Sequence, residues 1–201
     1  MAVKKNDSVA IPEFKTTKML VPIVGVSPLL CNRITEEVLE TLSGGKKEGE
    51  KKSKDNRGWK EIAMDGAYRH PKTGAYVFPS SGLMNALASA SYRMGLTKSA
   101  VEVFANVQIE DEWLDILGPA PRARQDSGRN QGKGLVAVNR AEFPLGWHIN
   151  VPVQFTSEMS AKKLGMLFEA AGFGVGIGCW RPEKKGRCGR FVIQRSAGSD
   201  L

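Results

Sequence analysis

The chain has no apolar run approaching the ~18 residues that a membrane-spanning helix needs. Its first residues, MAVKKNDSVAIPEF, carry Lys4 and Lys5 with no apolar segment behind them. No secretory signal is read there, no membrane is expected as a partner, and the expected compartment is the cytoplasm. Only three cysteines occur, Cys31, Cys179 and Cys188. An odd number without CxxC spacing argues against a disulfide framework and a structural zinc site. The two histidines, His70 and His148, lie far apart in the sequence, which removes a His-rich metal site. No Ser–His–Asp or Cys–His arrangement stands out. Phosphate-loop patterns are missing too. GRNQGKG at 128–134 is one residue short of P-loop spacing, and no Ser or Thr follows Lys133. No cofactor and no metal are expected.

What the sequence does have is positive charge, gathered in a few places. The net charge of the 201 residues is +8. Residues 44–60 carry seven Lys/Arg against three acids, residues 121–140 five against one, and residues 172–195 six against one. All three segments contain glycine, and the remainder of the chain is acidic on balance. One such loop reads as solvated surface. Three together favour a functional surface for a polyanion, of which nucleic acid is the commonest. Hydrophobic residues at 41% leave enough material for a sizeable core.

The hydrophobic pattern predicts alternating elements. TKMLVPIVGV at 17–26 reads as a buried strand, with Pro22 marking an edge or an irregularity. Ile34, Val38, Leu39 and Leu42 share one face of a short helix over 35–43, with Thr35 as its cap. Residues 44–58 have no hydrophobic side chain and are expected to be a disordered insertion. YRHPKTGAYVF predicts strand–turn–strand around Pro71–Gly74. Residues 80–95 predict a helix capped by Ser80 or Ser81, striped by Leu83, Leu87, Ala90 and Met94, and ended by Gly95. Strict alternation over 101–109 predicts a half-buried strand, and WLDIL another. Residues 118–134 read as a basic loop, with strand signals resuming at 135–143.

The last third alternates over nine positions. Trp147, Ile149, Val151, Val153 and Phe155 fall on one face; His148, Asn150, Pro152 and Gln154 fall on the other. A helix is expected over 157–171, capped by Thr156 or Ser157, buried along Leu164, Leu167, Phe168 and Ala171, and ended by Gly172. RFVIQ is the final strand. Strand–helix–strand units at both ends predict a single α+β domain over 1–201. It is of ferredoxin-like type, with an antiparallel sheet, helices on one face and basic loop insertions. The open face would leave His148, Asn150 and Gln154 toward solvent or a ligand.

Between the last helix and the last strand lies AGFGVGIGCWRPEKKGRCGRF, residues 171–191. No register in it gives G-x-G-x-x-G, and it follows a helix instead of opening one, so it is not a dinucleotide loop. Its glycines, Gly174, Gly176 and Gly178 among them, allow close approach of backbone to another chain. Arg181, Lys184, Lys185, Arg187 and Arg190 offer charge to phosphates, and Trp180 a stacking surface. Arg122, Arg124, Arg129 and Lys133 of the second basic segment, together with His148, complete the candidate nucleic-acid-binding set. The competing reading is a glycine-rich loop packed on the sheet with Trp180 buried.

This element order, with GFGVGIGCWRPEKKGRCGRF before the last strand, resembles the RAMP superfamily of CRISPR RNA-binding subunits and processing nucleases. PIVGVSPLLCNR, FPSSGLMNALASA and AGFGVGIGCWRPEKKGRCGRF together also resemble a group of uncharacterised bacteriophage proteins. The resemblance implies single-stranded RNA or DNA binding by a ferredoxin-like (RRM- or RAMP-type) fold. It also implies copies aligned along a strand, as a homo-oligomer or larger ribonucleoprotein assembly, in the host cytoplasm if phage-encoded. Two alternatives stand beside it. One is a metal-independent endoribonuclease using His70 or His148. The other is a phage assembly or anti-host-defence protein that binds an acidic protein surface. Glu110, Asp111 and Glu112 are adjacent acids at a strand end and read as solvated more readily than as metal ligands.

Overall fold

The computed structural model describes residues 14–34, 39, 43, 57–130 and 134–195. Apart from residues 39 and 43, the helix expected over 35–43 lies outside them, as does most of the charged insertion 44–58. In chain order the strands are β1 (Thr16–Gly25), β2 (Leu29–Cys31), β3 (Val77–Pro79), β4 (Val107–Ile109), β5 (Trp113–Asp115), β6 (Arg122–Asn130), β7 (Gly134–Phe143), β8 (His148–Thr156) and β9 (Phe191–Ile193). The α-helices are α1 (Trp59–Asp65), α2 (Ser80–Arg93), α3 (Ala100–Asn106) and α4 (Ala161–Ala170). The fold is α+β. Its principal sheet has the order β4-β8-β1-β9, antiparallel throughout. A second sheet runs β2-β7-β6, and β3 pairs with β5.

The alternation over 147–155 places its apolar members where expected: Trp147, Ile149, Val151, Val153 and Phe155 are all buried. Val21 and Ile23 of β1 join them, and Leu83 and Leu87 of α2 with Leu164, Leu167 and Phe168 of α4 close the core from above. Full burial of each such side chain stabilises by roughly 1.5–3 kcal/mol. The other face of the sheet is uncovered, with Leu20 59% exposed and Lys18 paired with Glu110. β1 is therefore a buried strand only in its second half, because β9 reaches no further than Ile23–Gly25. Pro22 marks that limit. Its carbonyl accepts from Gln194 N at 2.9 Å, so its missing N–H falls on the side where β9 ends.

Several expectations are corrected. Residues 101–109 are not one strand: Ala100–Asn106 is helical, and only Val107–Ile109 pairs with β8. The Ser99 hydroxyl accepts from Glu102 N at 3.4 Å and starts a helix that alternation over so short a run cannot exclude. Residues 118–134 are not a loop, because Arg122–Asn130 zips against β7 as one arm of a long hairpin. The helix expected from 157 begins at Ala161, with Ser160 Oγ accepting from Lys163 N at 3.1 Å; Thr156 still belongs to β8. Gly172 does not end that helix. The chain continues through a π-turn, Ala171–Val175, to Gly176 at φ +70°. Gly172 instead lets this π-turn approach β9, since a Cβ there would sit 2.0 Å from Phe191 O. At α2 the N-cap is Pro79, with no side-chain capping bond from Ser80 or Ser81, and Met94 lies exposed beyond the buried stripe.

Candidate nucleic-acid interface

The glycine-rich segment is held by the protein's own backbone. Ile177 N donates to Gly189 O (2.9 Å) and Cys188 N to Trp180 O (2.9 Å), which closes the segment into a narrow loop. Cys179 N donates to Leu30 O (2.8 Å) and Gly189 N to Pro28 O (2.8 Å), which clamps the loop onto β2 and the turn before it. The glycines serve this clamp. A Cβ at Gly178 would lie 2.4 Å from Leu30 O, one at Gly186 1.8 Å from Trp180 O, and one at Gly189 1.7 Å from Ile177 O. Gly176 is buried against Pro182. The close approach that glycine permits at Gly176 and Gly178 is thus used within the chain, while Gly174 is exposed with nothing within 4 Å of its Cβ position.

The tip is a short 3₁₀ turn, Pro182–Lys184, followed by Lys185 at φ +62°. Arg181 is a strut in it: Nε and Nη2 donate to Glu183 Oε2 (3.0 and 2.7 Å) and Nη1 to Gly178 O (3.0 Å). Glu183 also accepts from Ser89 Oγ (2.8 Å) and Arg93 Nη2 (3.0 Å), which moors the tip to α2. Burial works to raise the pKa of Glu183, but the hydrogen bonds from Ser89 and Arg181 overcome it and hold the carboxyl below the usual range. Lys184, Lys185 and Arg187 are exposed, and among the described residues no carboxylate pairs with any of them. Arg190 lies 4.8 Å from the ring centre of the exposed Phe173.

Trp180 joins this loop to the hairpin. Its φ of +52° is a left-handed conformation that a bulky side chain rarely adopts. The guanidinium of Arg140 sits 4.6 Å from its ring centre, and that of Arg124 5.9 Å. Arg124 and Arg140 face each other directly across β6 and β7, a like-charge pair that needs compensation. Two acids supply it. Arg124 Nε donates to Asp126 at 3.0 Å and its Nη1 to Glu142 Oε2 at 2.8 Å, and Arg122 Nε reaches Glu142 Oε1 at 2.8 Å. Glu142 is only 2% exposed. Burial pushes its pKa up, yet the hydrogen bonds from Arg124 and then Arg122 bring it below the ordinary value. The bond to Glu142 likewise raises the pKa of Arg124 against the effect of burial. Arg140 is less satisfied: its Nη1 is 3.8 Å from Asp126, and among the described residues its buried Nε and Nη1 have no hydrogen-bond partner.

Between hairpin and loop lies a cavity of about 540 Å³, lined by Arg124, Trp180, Lys184, Lys185, Arg187 and Cys188 among others. Five residues of the sequence-derived set thus meet at one place. The others are elsewhere or otherwise engaged. Arg122 is tied to Glu142, and Arg129 sits far along β6 toward the hairpin tip. Lys133 lies outside the described residues. His148 is on the open sheet face, its Nδ1 3.2 Å from Gly146 O. His70 holds a turn, with Nδ1 accepting from Lys72 N (3.1 Å) and Thr73 N (3.3 Å). Among the described residues no three His, Cys, Asp or Glu side chains form a group able to hold a metal ion. Sequence reasoning missed Arg140, Glu142 and Asp126. The signal that finds them is the hairpin register, which sets Arg122 opposite Glu142.

The molecule is an α+β protein with a cationic recess between a hairpin and a clamped loop. Among the described residues no helix is long and apolar enough to cross a membrane. No protein-family model matches the chain, and no curated protein matches it.

Proposed function

We propose that this protein binds single-stranded nucleic acid at the face formed by the loop 176–190 and the base of the β6–β7 hairpin. The observation that carries this reading is the loop tip. Lys184, Lys185 and Arg187 stand on a backbone braced from the protein's own side, unpaired among the described residues, beside a recess that contains Trp180. Exposed cations on a fixed frame bind phosphates by counterion release, and an adjacent aromatic ring accommodates bases of any sequence. We further read the core as ferredoxin-like. The elements β1, α2, β4, β8, α4 and β9 follow the β-α-β-β-α-β order, and the sheet order β4-β8-β1-β9 supports it. On this reading the 176–190 loop joins the last helix to the last strand, in keeping with the resemblance to RAMP proteins.

Fluorescence anisotropy with single-stranded RNA and DNA tests the proposal. Affinity is expected to fall steeply as salt rises. Absence of binding at low salt to either polymer removes it. The nuclease alternative draws no support from the geometry, since neither His70 nor His148 is among the residues lining the recess.

A further inference from the structure

The recess beside Trp180 is a different shape of site from an open nucleic-acid groove. Its walls come from three separate segments: Pro28 ahead of β2, Arg124 on β6, and the loop from Trp180 to Cys188. Its volume of about 540 Å³ falls within the roughly 300–1,000 Å³ typical of pockets for small molecules. Four cationic side chains line it, and no carboxylate does. Arg124 is already paired with Asp126 and Glu142, and among the described residues no carboxylate pairs with Lys184, Lys185 or Arg187. Arg140, which does not line the recess, lies 4.6 Å from the Trp180 ring centre with its Nη1 3.8 Å from Asp126, and among the described residues its buried Nε and Nη1 have no hydrogen-bond partner. Buried donors of this kind are ordinarily satisfied.

An internal phosphodiester brings one negative charge, whereas a phosphomonoester brings about −1.5 to −2 at pH 7 and three acceptor oxygens. We infer that the recess is a terminal-nucleotide site. It takes a nucleoside monophosphate, either free or as the phosphorylated end of a strand, with the phosphate on the Lys184–Lys185–Arg187 side and the base toward Trp180. The inference rests on the nucleic-acid reading above and specifies which part of a strand the recess holds.

The test uses the full chain in two arms. In the first, one oligonucleotide sequence is compared with 5′-phosphate, 3′-phosphate and hydroxyl ends by anisotropy. In the second, adenosine monophosphate, adenosine and inorganic phosphate are titrated separately by calorimetry. A terminal phosphate at one end is expected to tighten binding about tenfold, equivalent to roughly 1.4 kcal/mol. Adenosine monophosphate is expected to bind measurably, and adenosine and inorganic phosphate at least about tenfold more weakly. The double variant Lys184→Gln, Lys185→Gln, altered only at exposed positions, is expected to lose that preference while keeping its melting temperature. Equal binding of all three oligonucleotides with no binding of the monophosphate overturns the terminal site and leaves strand binding intact. Binding of the monophosphate without binding of any oligonucleotide supports the site and overturns the strand reading. Binding of neither overturns both.

Discussion

The hairpin base and the loop tip carry similar numbers of cations and use them in opposite ways. At the hairpin, Arg122 and Arg124 share the buried Glu142, and Asp126 sits between Arg124 and Arg140. Those charges hold two strands in register. At the loop tip, Arg181 is tied down through Glu183, while Lys184, Lys185 and Arg187 are unpaired among the described residues. The difference shows that a local excess of positive charge in a sequence counts two populations at once. One is internal to the fold and balanced by acids brought in from other elements. The other is exposed, and it is the population that the proposed binding reading uses.

The largest effect that would sharpen this contrast is expected from Glu142→Ala. It removes the acceptor that Arg122 and Arg124 share; their side chains keep 69% and 32% exposure and reach water, so the cost is that of hydrogen bonds to a charged group, about 1.5–3 kcal/mol. Urea denaturation measures it; a loss below about 1 kcal/mol would break the distinction. Acid titration comes next. Glu142 and Glu183 both have lowered pKa values in the folded protein. Their stabilisation is complete above the unfolded carboxylate value of about 4.3 and is lost as pH falls through and below it. Thermal melts from neutral pH downward are expected to decline in that window, and less so in Glu142→Gln. A smaller change, about 1–2 kcal/mol, is expected from Glu183→Gln, which weakens the ties to Ser89, Arg93 and Arg181 without leaving a cavity. Least of all for stability, within about 0.5 kcal/mol, is the triple change of Lys184, Lys185 and Arg187 to Gln. That variant is nonetheless expected to reduce the salt dependence of single-strand binding by a slope of about 2. A triple variant that binds with unchanged slope would place the ligand elsewhere.

Much of the fold was legible because periodicity and burial coincide. The alternation from Trp147 to Phe155 and the stripe of Leu164, Leu167 and Phe168 each have one face that must leave water. The helix at Ala100–Asn106 was not legible, since a stretch of seven residues alternates as well as it coils, and the Ser99 cap decided it. The hairpin arm was hidden for another reason. Arg122–Asn130 has almost no apolar content, and it is a strand because β7 pairs with it along its length. Of the candidate site, the loop cations and Trp180 were readable from composition. Their separation into paired and unpaired was not, because Glu142, Ser89 and Arg93 are contributed by distant parts of the chain.

The carboxylate of Glu183 receives donors from two places, Ser89 and Arg93 on α2 and Arg181 in its own loop. It fixes the turn from which Lys184, Lys185 and Arg187 project, so the geometry of those three cations is set before any ligand arrives. Ordering a loop on association is one of the larger opposing terms in binding, and here the folded core has already supplied that order. If the proposed binding holds, cutting this tether is therefore expected to weaken it without removing any of the three cations.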